Sequence, residues 1–383
     1  MRPLRLLLLT NQLDVGGVET NLVTLAQAFA ARGHAVTVAA APGPLQASLG
    51  PHVAYHAVSA NGDTPWRLWR AASDVARLMQ DQALEVVHAF SPRATLVGWL
   101  ARSLAGRRNG LRRGPLIVSV PGGLQESPAE PPWVTYSRLW PLWGADRVLA
   151  ISQEIRHTLA RLPGLPPRIT SLCHIGLDLA RFRPGRQTAA AQQLRAAWGW
   201  PSPTPLIGTI GACMSRKSHD LFLRAAGLVH GQRPEARFLI VGEGPLRPQL
   251  ATLSHRLGLE GVVRFVGQRE DIPAVLEALD CYIKPGVVEG FVGITVLEAM
   301  AMEKPVIAFE TEDVKAAIRD GDTGVLVRRG DVLALSQAIL RLLAEPLFAR
   351  RLGRAGRQFV EEQFEASAVA ARLERYYLEA LGA

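Results

Sequence analysis

Short apolar runs alternate along this chain with stretches in which apolar residues recur every three or four positions. The runs LRLLLLT (4–10), AVTVAA (35–40), VVHAF (86–90), LIVSV (116–120), RVLAIS (147–152) and ITSLC (169–173) predict strands. They lack a polar alternate face, as strands covered on both sides do. Between the first two, NLVTLAQAFAARG places its apolar residues on one helical face and stops at Gly33. Strand–helix alternation of this kind predicts a parallel sheet with helices on both faces. RFRPGRQTAAA (181–191) and WPSPTP (200–205) then break the pattern with Pro and turn formers around a short helix. The alternation restarts with PLIGTIGA, RFLIVGEG, VVRFVG, CYIKPG, PVIAFE and GVLVRRG. The organisation predicted is one α/β domain over 1–185, a linker over 186–203 and a second α/β domain over 204–365. A last amphipathic segment within 366–383, SAVAARLERYYLEAL (367–381), follows the second sheet and belongs to neither run of strands.

Composition narrows the setting. With 383 residues, 48% hydrophobic and 20% charged, the chain fills two cores and is too apolar for disorder. The net charge of +9 is spread along the chain, and only four of its 43 basic residues are Lys, a compositional bias as much as a functional one. Cys173, Cys213 and Cys281 lie far apart without CxxC spacing. That excludes a disulfide framework or a cysteine zinc site and points to a reducing cytoplasm. The opening MRPLRLLLLT has a short apolar run and no small-residue cleavage site, so it reads as a first strand rather than a signal peptide. No run of about 18 apolar residues predicts a membrane span.

Three motifs fall at the carboxyl ends of predicted strands, where doubly wound sheets bind ligands. In GGVET, Gly16 and Gly17 precede a helix and would let a phosphate or sugar approach backbone amides at a positive helix end; a plain strand-to-helix turn is the competing reading. The GxGxxG fingerprint is missing, so a nicotinamide cofactor is not predicted. In GACMSRKSHDLFLRAA, Arg216 and Lys217 stand before a helix and suit a diphosphate, against the alternative of a basic solvated loop. In KPGVVEGFVGITVLEAMAMEKPVIAF (284–309), Glu289 and Gly290 sit in a loop and Glu298 lies about a turn into a helix over 294–302. Two carboxylates so placed would grip sugar hydroxyls; the competing role for Glu298 is a cap or pair within its helix.

With these motifs in order, the chain resembles the GT-B glycosyltransferases of group 1, or family 4. The resemblance runs nearly end to end. It takes in GGVETNLVTLAQAFAARGHAVTV, VVHAFSPRATLVGWLAR, ADRVLAISQEIRHTL, GLDLARFRP, the Lys217 loop, LIVGEGPLRPQL, VVRFVGQREDIPAVLEALD, the EGF…LEAMA block and DGDTGVLV. It implies two Rossmann-like domains facing across a cleft, acceptor bound by the first and nucleotide-diphosphate sugar by the second. The last helix would cross back to the first domain. Activity would retain anomeric configuration, use no bound metal and move a sugar to an envelope glycan or lipid-linked acceptor. The donor site implied is Gly16, Gly17, Arg216, Lys217, Glu289, Gly290, Phe291, Gly293, Ile294 and Glu298, with Lys217 and Glu289 catalytic. Lys217 would neutralise the leaving diphosphate, Glu289 contact the transferred sugar and Glu298 the ribose hydroxyls. GEGP (242–245) and GQREDI (267–272) would lie near base and ribose, while Glu19 and His88 are candidate acceptor or cleft residues.

The chain departs from the family pattern at several places. Pro121 stands where a His is frequent, and Ala212 where an Arg precedes the phosphate Lys, with Arg216 as a substitute charge. The two glutamates are separated by eight residues instead of seven. TED replaces a Gly-Gly turn and brings Glu312 and Asp313 near the expected phosphates. These departures leave two alternatives open: a catalytically degenerate GT-B binding protein, and a nucleotide-sugar epimerase on the same fold. Asp320-Gly-Asp322 reads as a turn rather than a metal signature. Residues 99–143 gather Trp99, Arg102, Arg107, Arg108, Arg112, Arg113, Trp133, Tyr136, Arg138, Trp140 and Trp143. That mixture suits an anionic membrane surface, core packing of the tryptophans being the alternative; nucleic acid is not expected. The expected location is the cytoplasm, peripheral on the inner face of the membrane.

Overall fold

The computed structural model describes residues 2–14, 16–58, 64–108, 114–120, 139–166, 170–286 and 293–382. The chain forms two compact units, Met1–Leu177 with Phe364–Ala383, and Asp178–Gln363.

The first unit carries β1 (Arg5–Gln12), β2 (Ala35–Ala41), β3 (Val53–Ala57), β4 (Val86–Ala89), β5 (Leu116–Val120), β6 (Arg147–Ala150) and β7 (Thr170–Leu172). All pair in parallel, in the order β3-β2-β1-β4-β5-β6-β7. The β1 run of leucines divides by the period of two. Leu6 and Leu8 pack with Phe29, Val369, Leu373 and Tyr377 on one face; Leu7 and Leu9 pack with Val75, Val97 and Ile155 on the other. A continuous apolar run is therefore what this position requires. β3 is the exception to the predicted pattern and was not among the expected strands. It is the edge strand, and most of its side chains are exposed or half-buried, so VAYHA lacks an apolar run. At β6 the strand stops at Ala150, because Ser152 turns to cap the next helix and its Oγ accepts from the Ile155 amide at 3.2 Å.

The second unit has β8 (Leu206–Ile210), β9 (Arg237–Val241), β10 (Val263–Phe265), β11 (Cys281–Lys284), β12 (Val306–Phe309) and β13 (Val325–Val327). These too are parallel, in the order β10-β9-β8-β11-β12-β13. The order of strand addition reverses between β8 and β11, which makes the carboxyl ends of those strands the switch point where such sheets bind ligands. Segment 186–203, expected as a linker, carries the helix Thr188–Ala197. Its Arg195 is buried and donates to the carbonyls of Ala278 and Thr204 and to Asp280, each at 2.7 Å.

The last helix, Ala366–Leu381, packs back on the first unit as the resemblance implied. Its inner face buries Val369, Ala370, Leu373 and Tyr377. Glu374 is also buried there, receiving Arg32 through Nε and Nη2 and His34 Nε2 at 2.8 Å. Burial pushes this carboxyl up, but hydrogen bonds from Arg32 and His34 outweigh it and hold the group below its usual range.

Tyr377 makes the second polar contact of that face. Its hydroxyl lies 2.6 Å from Nδ1 of His88, whose Nε2 is 2.8 Å from Ser119 Oγ. His88 was a candidate cleft residue; instead it is fully buried, stacked on Phe90 and hydrogen bonded at both ring nitrogens. Burial lowers its pKa to about 3. The unfolded chain binds a proton on this ring below about pH 6.5 while the folded chain does not, so stability falls as pH drops from there toward 3. Between pH 7 and 5, His88→Gln is expected to lose roughly 2 kcal/mol less than the parent in urea unfolding. Equal acid sensitivity of the two would show that His88 is not held neutral by the core.

Candidate functional site

At the end of β8 the chain turns through Gly211–Met214 into a single 3-10 turn, Ser215–Lys217, and then into the helix His219–Gln232. Ser218 joins the two in the left-handed region, φ 50° and ψ 41°. The Lys217 stem lies across the strand end: a Cβ on Gly211 would come within 3.3 Å of its Cδ and Cε. Arg216 is exposed on the same turn, and Ala212 adds no charge. Loops from two neighbouring strands close on this turn. The Cys213 amide donates to the Glu243 carbonyl at 2.9 Å, and the Gly242 amide to the Gly267 carbonyl at 2.8 Å. A side chain at 242 would strike the Gly211 carbonyl, 2.1 Å from the position of its Cβ.

One strand over, β11 leads to the helix Ile294–Ala301. Gly293 caps it at φ 87°, a conformation that disfavours any side chain. Tyr282, buried in β11, fixes where that helix starts: its hydroxyl is 2.8 Å from Thr295 Oγ1 and donates to the Ile210 carbonyl at 3.4 Å. The start of the helix is thereby tied to the end of β8. Glu298 lies in this helix, 8% exposed, and no described side chain hydrogen bonds to it. Burial raises its pKa to about 7, opposed by the positive charge of Arg181. Arg181 in turn donates to the Glu270 carbonyl at 3.1 Å, beside the fork of Arg269 on Asp271. The capping or pairing alternative for Glu298 is not what its surroundings show.

The TED segment separates into two environments. Glu312 is exposed and pairs with Lys315 at 3.0 Å, and Lys315 also pairs with Glu310 at 2.8 Å. Asp313 is buried, and its Oδ2 has no hydrogen-bond partner; Thr311 Oγ1 has none either. Glu289, Gly290, Phe291 and Pro121 lie outside the described residues.

In the first unit, Gly16 caps the helix Gly17–Ala31 in extended conformation, and a Cβ there would meet only the flexible carboxylate of Glu19. Nothing lies within 4 Å of a Cβ on Gly17. Glu19 is half-buried; burial raises its pKa, its own backbone amide lowers it and Asp14 raises it further. Asn21, on the same helix, accepts the Gly176 amide at 2.8 Å. In the 99–143 patch, Trp140 and Trp143 are exposed, while Trp99 packs edge-on against Trp140. Arg102 is tied to Asp146 and to the Gly144 carbonyl. Arg112, Arg113, Trp133, Tyr136 and Arg138 lie outside the described residues.

Among the described residues no group of three His, Cys, Asp or Glu is placed to hold a metal ion. None of their helices is by itself long and apolar enough to cross a membrane. Sequence reasoning missed Arg181 as the charge acting on Glu298 and Tyr282 as the anchor of the helix start. The available signals were an Arg inside GLDLARFRP and a polar aromatic in the otherwise apolar CYIK strand.

Two family models match the chain: Glycosyltransferase Family 4 over residues 15–181 and Glycosyl transferases group 1 over residues 204–345. A D-inositol 3-phosphate glycosyltransferase of Streptomyces avermitilis is 28% identical over 379 residues, 91% of this chain and 80% of that protein. Its namesake from Mycobacterium bovis is 29% identical over 359 residues, 87% and 73% of the two. Two solved structures share the fold at 20% identity. Anabaena Alr3699/HepE, crystallised with UDP and glucose, has a TM-score of 0.81 over 97% of this chain and 99% of that one. A glycosyltransferase from Rickettsia africae has a TM-score of 0.83 over 100% and 99%.

The raised pKa of Glu298 has a sign that can be checked. A group whose pKa is higher folded than unfolded favours the fold below the unfolded value and loses that advantage as pH rises to the folded one, here from about 4.5 to about 7. In the ligand-free protein at pH 8, Glu298→Gln is therefore expected to be more stable by up to about 3 kcal/mol in denaturant unfolding. A variant less stable than the parent at that pH would show that the carboxylate is satisfied in the fold.

Proposed function

This chain belongs to the group 1, family 4 glycosyl transferases, and from that premise we propose the reaction it performs. It moves a sugar from a nucleotide-diphosphate sugar to an envelope glycan or lipid-linked acceptor, with retention of configuration and without a resident metal. The first domain takes the acceptor and the second the donor. One observation carries the donor assignment: Glu298 is buried, its pKa raised by that burial, with no hydrogen bond from a side chain among the described residues, one strand away from the turn that lays Lys217 across the end of β8. A ribose presents two adjacent hydroxyl donors to such a carboxylate, and a diphosphate presents its charge to such a lysine.

The chemistry follows from where charge develops. Breaking the bond between sugar and diphosphate moves negative charge onto the leaving phosphate. Lys217, with Arg216 beside it and the amino end of His219–Gln232 behind it, opposes that charge most strongly in the transition state. These fixed cations stand in for a divalent metal. By the family resemblance Glu289 would contact the transferred sugar, with Gly290, Phe291, Gly293 and Ile294 in the same motif; Gly16 and Gly17 are the first unit's own candidates for a phosphate at a helix amino end. Glu19 remains the candidate on the acceptor side. His88 is withdrawn from that role because it sits inside the core. A place at the inner face of the membrane, with Trp140 and Trp143 outward, suits a lipid-linked acceptor.

UDP-glucose is the probe of choice, since a protein of the same fold holds UDP and glucose. Lys217→Ala is expected to weaken its binding by roughly 1.5–3 kcal/mol in calorimetry, the worth of a charge-assisted contact. Unchanged affinity would place the diphosphate elsewhere. UDP-glucose has no group titrating near neutrality, so its affinity is expected to rise between pH 6 and 8 as Glu298 ionises, and that rise should vanish in Glu298→Gln. A pH dependence that persists in the variant would assign it to another group.

A further inference from the structure

The helix Pro65–Asp81 of the first unit has one face committed to the core: Ala71, Ala72, Val75, Ala76, Leu78 and Met79 are buried. At 100° per residue, Trp66 stands about half a turn from that stripe, with Trp69 and Arg70 to either side of it. Trp66 is 70% exposed and Trp69 49%, and Arg67 and Arg70 are exposed between and beside them. Asp63 precedes the helix, outside the described residues, and no further acidic residue occurs until Asp74. The nearest acid along the helix, Asp74, is engaged by Arg77 at 2.9 Å, and neither Arg67 nor Arg70 pairs with a carboxylate among the described residues. The first two turns thus project two large indoles and two guanidinium groups, unpaired among the described residues, from a helix whose other face is anchored.

We propose that this amino-terminal end, Trp66 to Arg70, is an interfacial anchor for an anionic lipid bilayer. Indole rings with a polar N–H settle at headgroup depth, and arginines beside them meet lipid phosphates and net negative surface charge. An exposed pair of tryptophans flanked by two exposed arginines fits that surface better than it fits water. The helix follows β3, so the anchor lies on the carboxyl edge of the first sheet, the edge that also carries Gly16 and Gly17. An acceptor held in the bilayer would be met at that edge. The inference extends the lipid-linked reading above, while the contact itself requires no sugar transfer.

The test is co-sedimentation of the full chain with vesicles of phosphatidylcholine alone and of phosphatidylcholine mixed with phosphatidylglycerol. The parent is expected to bind the anionic vesicles more tightly. Trp66→Ala with Trp69→Ala should abolish detectable sedimentation, and Arg67→Gln with Arg70→Gln should weaken anionic binding roughly thirtyfold, about five- to sixfold for each charge. All four side chains are exposed, so thermal unfolding and UDP-glucose affinity should stay at parent values. Brominated lipid should quench the parent's tryptophan fluorescence and quench the double tryptophan variant markedly less. If the variants bind as the parent does while Trp140→Ala with Trp143→Ala loses binding, the anchor lies in the other patch and this proposal is wrong. A parent that ignores both vesicles refutes the anchor and the membrane location together, and leaves the donor chemistry to be judged by UDP-glucose titration.

Discussion

A parallel strand can be followed by another parallel strand only through a crossover, and most of the described crossovers here contain a helix. That constraint shapes both units. Strand ends, tight turns and helix amino termini collect on one edge of each sheet, and side chains carrying chemistry collect with them. In the second unit the edge holds the Lys217 turn after β8, the Gly242 turn after β9, Gly267 after β10 and the Glu298 helix after β11. Close backbone approach is what fixes their mutual positions. The glycines at 211 and 242 allow one turn to lie on the next, and Tyr282 pins the helix start to the last carbonyl of β8.

Two of the carboxylates buried in these units, Glu374 and Glu298, show opposite uses of the same cost. Glu374 is matched by Arg32 and His34, and it locks the last helix to the first unit. Glu298 has no such match among the described residues; the charge of Arg181 opposes its burial only in part, and its pKa rises. A buried ionisable group without a partner destabilises the fold, which is why such groups are concentrated at functional sites. Asp313 is likewise buried, and its Oδ2 has no hydrogen-bond partner among the described residues.

Most of the fold is legible in the sequence because two-sided burial writes itself as unbroken apolar runs. All six runs of the second half became strands, and the leucines of β1 serve two cores at once. The edge strand β3 was illegible for the same reason: exposed on most positions, VAYHA needs no such run. His88 misled because the residue that covers it, Tyr377, is 289 positions away, and no local pattern announces the contact. The TED segment was read as two like charges in one place, whereas rotation of the chain separates Glu312, outward on Lys315, from Asp313, inward. Lys217 and Glu298 were nameable from motif order, but the tie between them, through Tyr282 and Gly211, is a property of the fold alone.

The account stands on the carboxyl edge of β8 and β11 as a nucleotide-diphosphate site. A crystal structure of the protein soaked with UDP-glucose tests it most directly. Diphosphate oxygens within hydrogen-bonding reach of Lys217 Nζ, and ribose hydroxyls on the Glu298 carboxylate, are the predicted result. A nucleotide bound at another edge of the second sheet, with Glu298 still enclosed and unpartnered, would contradict it.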